Sequence, residues 1–120
     1  MKRSAACWPA RSAPSANAER DLKTVTTFVL TCLDYPNNLE RRMGARDAHL
    51  AYVAANKDKL KMAGPLLDDA GAMAGSMFVL DVESKAEVEA FNASDPYTLA
   101  GVFETVTIQA MRITVGVLAT

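Results

Sequence analysis

The spacing of apolar positions alternates between the period of a strand and that of a helix along most of this chain. Thr24 to Leu33 (TVTTFVLTCL) is dense in β-branched residues and becomes apolar on both faces toward its end, which predicts a central strand. Asp34-Tyr35-Pro36-Asn37 then makes a turn, and Asn37 with Glu40 has the spacing of a capping box that opens a helix running to about Lys57. On that helix Leu39, Met43, Leu50 and Ala54 share one apolar arc, which predicts the face laid against a sheet. Leu60 to Leu67 (LKMAGPLL) reads as a shorter strand broken by Gly64-Pro65, and the proline confines it to an edge or a bulge. A small, polar connection, Asp68 to Ala74, leads into Ser76 to Val82 (SMFVLDV), apolar on both alternating faces and so again central. Ser84 and Glu87 repeat the capping-box spacing before a short helix through Ala90 and Phe91. Asp95 before Pro96 is the N-cap of a further single turn ended by Gly101, and Val102 to Val115 is a long strand with mixed faces.

The order is β-α-β-β-α-β, the split βαβ or ferredoxin-like arrangement of an α+β domain with a four-stranded antiparallel sheet. That topology puts the first and third strands in the middle, and these are the two with the most apolar faces. Two helices cover only one face of such a sheet. The other face needs a cover, most simply a second copy of the chain, which predicts a homodimer with α+β-barrel character.

Composition limits the remaining possibilities. With 120 residues, half of them hydrophobic, the chain can build one core. Residues 1 to 23 are rich in Ala, Ser, Pro and Arg without a period, and are read as an unstructured leader before a domain at 24–120. The Arg-rich, acid-poor start of this segment also fits an organelle transit signal or an over-long reading frame. Thirteen basic residues against fourteen acidic ones leave a formal charge of −1, so nucleic acid and anionic membranes are not expected partners. Cys7 and Cys32 lie in unlike settings and suggest neither a disulfide framework nor a metal cluster, which points to a reducing, cytoplasmic setting.

The chemistry-bearing residues are few. Arg42, Arg46 and His49, the only histidine, stand at i, i+4 and i+7 and form one stripe beside the apolar arc. Such a stripe is commonly a solvated basic face. Its functional alternative is an anion-binding and proton-transfer face, with Arg46 and Arg42 holding an anionic oxygen while His49 moves a proton. Asp95 is explained by capping alone unless its second oxygen reaches the imidazole. Tyr52 and Tyr97 are ordinary packing residues or substrate contacts, Ser76 a strand residue or a polar contact, and Gly64-Pro65 either strand punctuation or a close backbone approach to a ligand. Met43, Met62, Met73 and Met77 read as core or loop filler. No Walker A, G-x-G-x-x-G, H-E-x-x-H or C-x-x-C spacing occurs, so no nucleotide, zinc or haem cofactor is expected.

The strand FVLTCLD, the segment Arg46-Asp47-Ala48-His49-Leu50-Ala51-Tyr52, the Ala63-Gly64-Pro65-Leu66 strand and the turn Asn92 to Tyr97 followed by Ala100-Gly101-Val102 together resemble the YCII-related proteins over about residues 25 to 115. The resemblance implies a dimeric α+β barrel of ferredoxin-like subunits. It also implies that His49 and Asp95 form a catalytic pair, in a family that includes a cofactor-independent dehydrochlorinase of a chlorinated hydroxyquinone and shares its fold with muconolactone isomerases. The leader and the short extension Val117 to Thr120 depart from the family pattern. The expected function is therefore general acid-base proton transfer, as an isomerase or lyase, on a small anionic, aromatic or lactone-like substrate held by Arg46. The alternative is a non-catalytic small-ligand-binding or accessory module in which His49 only donates a hydrogen bond.

Overall fold

Alternation decides the core. In the first strand, β1 (Thr26–Asp34), every second side chain (Phe28, Leu30, Cys32) is buried. In the computed structural model, which describes residues 25–118, these side chains face Leu80, Phe78 and Ser76 across the antiparallel pairing with β3 (Met73–Val82). The edges of the sheet are β2 (Leu60–Leu67) beside β3 and β4 (Phe103–Met111) beside β1, so the order is β2-β3-β1-β4 with every pair antiparallel. This is the ferredoxin-like topology, and both strands expected at the centre are there. Helices α1 (Leu39–Ala55) and α2 (Lys85–Ser94) and the single turn α3 (Pro96–Leu99) lie over one face. Val88 and Phe91 of α2 complete the core, with Tyr52, Val53, Leu60, Phe103 and Ile108 packed around it.

Several local expectations are corrected. α1 does not turn its apolar arc inward: Leu39, Met43 and Leu50 are more than 40% exposed and Ala54 is exposed, whereas Arg42 and His49 are buried at 2% and 7%. Each of those two polar side chains has a buried carboxylate partner, which offsets part of the penalty for turning it away from water, although Arg42 Nε has no partner among the described residues. The Asn37 capping box does not form. Asn37 instead takes the left-handed conformation (φ 57°), and Asn38 occupies the cap position while its Nδ2 donates to the Val102 carbonyl at 3.1 Å. Ser84 is an N-cap by position without a side-chain cap bond; Glu87 reaches past it to accept from the Glu83 N–H at 3.2 Å. β2 runs through Gly64-Pro65 unbroken at the sheet edge, and β4 stops at Met111 rather than Val115. The leader and Cys7, and the last two residues, lie outside the described residues.

One irregularity matters for the site. Between Leu33 and Asp34 the register with β4 slips, so that Leu33 faces Thr105 but Asp34 faces Phe103. Strict alternation from Thr105 would put Phe103 on the far side of the sheet. The extra residue, Glu104, brings it to the helix side, edge-on to Tyr97 at 5.8 Å.

Two glycines give opposite expectations. A Cβ on Gly75 would lie 2.6 Å from the Cys32 carbonyl oxygen, a backbone atom that cannot swing away, whereas a Cβ on the helical, exposed Gly44 meets nothing within 4 Å. In urea unfolding, Gly75→Ala is expected to lose about 1–3 kcal/mol to overpacking. Gly44→Ala is expected to gain about 1 kcal/mol from helix propensity.

Candidate acid-base site

Asp95 is placed by the turn it starts. Followed by Pro96, it caps α3 by accepting the Tyr97 N–H on Oδ1 at 2.9 Å, the cap expected for an Asp-Pro pair. It is this same Oδ1, and not the second oxygen as expected, that accepts from His49 Nδ1 at 2.8 Å, so one oxygen serves both the cap and the imidazole. The carboxylate is fully buried, and its Oδ2 has no hydrogen-bond partner among the described residues. Because that oxygen can only accept while Asp95 is ionised, the hydrogen bond puts the imidazole proton on Nδ1. Nε2 is then the free ring nitrogen. It has no hydrogen-bond partner among the described residues, and His49 lines a cleft of about 170 Å³.

The second polar group of α1 is held as firmly. Arg42 Nη1 donates to both oxygens of Asp34 at 2.9 and 3.1 Å, and its Nη2 donates to Ser76 Oγ at 2.6 Å. Tyr97 meets both α1 groups: its ring stacks on His49 at 3.9 Å and 15°, and the Arg42 guanidinium lies 4.5 Å from its centroid. Phe78 meets the imidazole edge-on at 6.0 Å. α1 packs its backbone against α3 rather than directly on the sheet, and its long polar side chains span the interval in which the cleft lies.

Of the residues expected at a site, Arg42, Arg46, His49, Gly64, Pro65, Ser76 and Tyr97 all line this cleft, and Asp95 stands behind His49. Tyr52 does not line it. Its hydroxyl donates to the Phe91 carbonyl at 2.7 Å and its ring packs on Phe91, so it serves the core. Arg46 is half-buried and has no ion pair among the described residues, unlike Arg42. Sequence reading missed Asp34, taken only as part of a turn, and Phe78, taken only as core. A carboxylate ending a central apolar strand, eight residues before an arginine, was the available signal for Asp34.

Burial sets the protonation of several groups. It pushes the Asp34 carboxyl above the ordinary aspartate range, against the opposing pull of Arg42. It also raises the Tyr97 phenol, opposed by Arg42 and Arg46 and reinforced by Asp95 and Asp34, so this phenol stays neutral around pH 7. Tyr52 is raised by burial and by Asp95 against a hydrogen bond with Ser94. Cys32 is pushed up to about 12 by burial and by Asp95 and Asp34, with Arg42 opposing. Among the described residues no three His, Cys, Asp or Glu side chains group as metal ligands, and no helix is long and apolar enough to cross a membrane.

A ferredoxin-like α+β domain with a buried imidazole-carboxylate pair opening on a small cleft is thus the class that fold and site define. The chain belongs to the family of the YCII-related domain, whose model matches residues 26–112. It is 33% identical over 93 residues to Protein YciI of Escherichia coli O6:H1, spanning 71% of this chain and 95% of that protein. An uncharacterised protein of Haemophilus influenzae is 30% identical over the same length. Among solved structures the chain is similar to 5-chloro-2-hydroxyhydroquinone dehydrochlorinase (TftG) of Burkholderia phenoliruptrix AC1100 in complex with 2,5-dihydroxybenzoquinone, at 35% identity and a TM-score of 0.64, covering 69% of this chain and 90% of that one.

The Cys32 thiol gives a direct check of this electrostatic picture. At pH 8 a thiol with a pKa of about 12 is ionised to only about one part in ten thousand. Iodoacetamide is therefore expected to leave Cys32 unmodified in the folded protein and to alkylate it in urea, as read by peptide mass mapping.

Proposed function

We propose that this protein is a small-molecule enzyme that moves a proton with His49 as general base, Asp95 as the group that orients it, and Arg46 as the cation that holds an anionic substrate oxygen. The observation that carries this reading is the buried 2.8 Å bond from His49 Nδ1 to Asp95, which leaves Nε2 without a partner among the described residues on a side chain that lines the cleft. A lone pair held in place at a neutral nitrogen is suited to taking a proton from an O–H, or from a C–H beside a carbonyl. The electron pair released becomes a new π bond. In a lyase a leaving group such as chloride then departs with its own electrons; in an isomerase the imidazolium returns the proton at another carbon. Asp95 stabilises the imidazolium in either case.

The cleft supports the substrate class. Its volume is close to that of a ~150 Å³ cavity able to take one benzene ring. Its walls include Phe78, Tyr97 and Pro65, and Arg46 is its cation with no ion pair among the described residues. One small aromatic, quinoid or lactone ring carrying a negative oxygen suits that lining. The 35% identity to a dehydrochlorinase bound to 2,5-dihydroxybenzoquinone supports the same chemistry.

We also propose a homodimer. The sheet face away from the helices carries Leu33, Met62 and Met111 at 46%, 47% and 49% exposure, beside Val29, Met77 and Val79 at its centre. A second copy laid on this face would bury more than roughly 1,000 Å². Light scattering is expected to give twice the chain mass at micromolar concentration, and a stable monomer would sink the dimer.

Activity is expected as chloride release from 5-chloro-2-hydroxyhydroquinone or as turnover on a panel of enolisable lactones and hydroxyquinones. His49→Gln should lower kcat by about a hundredfold or more, the usual worth of general base catalysis. Asp95→Asn, which keeps most of the capping ability, should lower it with the fold intact by circular dichroism. Wild-type turnover that survives in His49→Gln would overturn the assignment. Tight binding of these compounds with no turnover would instead make the protein a ligand-binding module.

A further inference from the structure

Ser76 lies on β3 opposite Cys32 of β1 on one side and Pro65 of β2 on the other, is only 2% exposed, and lines the cleft. Its Oγ accepts from Arg42 Nη2 at 2.6 Å, a short charge-assisted bond. A serine hydroxyl carries one proton besides its lone pairs. With a lone pair committed to Arg42, the proton has to be offered elsewhere, and no acceptor for it exists among the described residues. Buried hydroxyls normally find an acceptor. Nor can Arg42 move to relieve the arrangement, because its Nη1 is fixed by both Asp34 oxygens and its guanidinium lies against the Tyr97 ring.

We infer that Ser76 donates this hydrogen bond to an oxygen of the bound substrate, and that Arg42 is a positioning residue that acts through Ser76. Arg42 fixes the rotation of the hydroxyl, polarises its O–H bond, and turns the proton away from itself toward the cleft. This inference rests on the reading that the cleft takes a small anionic substrate, and it narrows the class. Such a substrate carries two oxygens with different partners: an anionic one for Arg46 at the half-buried margin, and an acceptor for Ser76 at the buried floor. Arg42 and Arg46, one helical turn apart, thus have separate tasks. The first is neutralised by Asp34 and acts at second hand; the second keeps its charge for the ligand.

Calorimetric titration of the full chain with benzoate and with 2-, 3- and 4-hydroxybenzoate tests it, using wild type, Ser76→Ala, Ser76→Thr and Arg42→Lys. Wild type is expected to bind at least one hydroxybenzoate about tenfold more tightly than benzoate, the worth of one good hydrogen bond to a polarised donor. Ser76→Ala should erase that preference and leave benzoate affinity unchanged. Ser76→Thr should keep it, because the hydroxyl remains. Arg42→Lys should reduce it without weakening benzoate; should that variant unfold, the two Ser76 variants still decide the matter. Wild type that binds benzoate without preferring any hydroxybenzoate, or a preference that survives in Ser76→Ala, overturns this inference and leaves the proton-transfer reading standing. Failure of the wild type to bind any of these acids overturns both.

Discussion

Two polar side chains buried on one helix are the constraint around which this domain is arranged. Arg42 and His49 stand seven residues apart on the inward face of α1, and neither could remain there without its carboxylate. Removing one partner of a buried pair leaves an uncompensated charge or donor and costs several kcal/mol. Asp34 must therefore end β1 where Arg42 can reach it, and Asp95 must start α3 where His49 can reach it. Tyr97 links the two, because its backbone N–H shares Asp95 Oδ1 with the imidazole while its ring meets both α1 groups. Strand end, helix face and capped turn are mutually dependent.

That dependence explains why some of the architecture could be read from sequence and some could not. The strand order and the two central strands followed from local periodicity, and the Asp95-Pro96 cap from three adjacent residues. The inward face of α1 did not. Hydropathy favours Leu39, Met43 and Leu50 over Arg42 and His49, and the partners that reverse the choice are eight and 46 residues away in the chain. No period reports a contact of that kind. The stripe of Arg42, Arg46 and His49 was visible, but its burial became evident only with Asp34 and Asp95 in place. Tyr52 misled for a related reason: it follows His49 by three positions on the helix, yet its hydroxyl has a carbonyl partner within the core. The start of α1 was missed by a residue, and Asn38 at its cap position binds the Val102 carbonyl across the fold, a contact no local spacing reports.

The cleft is a product of the same packing. A helix with an apolar inner face lies close on a sheet and leaves no room. Here an arginine and a histidine occupy that face and α1 leans on α3, so a ring-sized space persists beside β2 and β3. The groups that keep the space open are also the ones that give it chemical character. This is economical in a chain with a single histidine.

Pro65 has a consequence beyond the cleft. It sits inside β2, which forms one margin of the sheet, and it has no backbone N–H to offer a further strand. The preceding Gly64 adds a residue of poor strand propensity. A free margin of this sort is where one folded chain can template the stacking of another into fibrils. Placing Gly-Pro there makes that margin a poor template, so the residues that border the cleft also guard the sheet against aggregation through this edge.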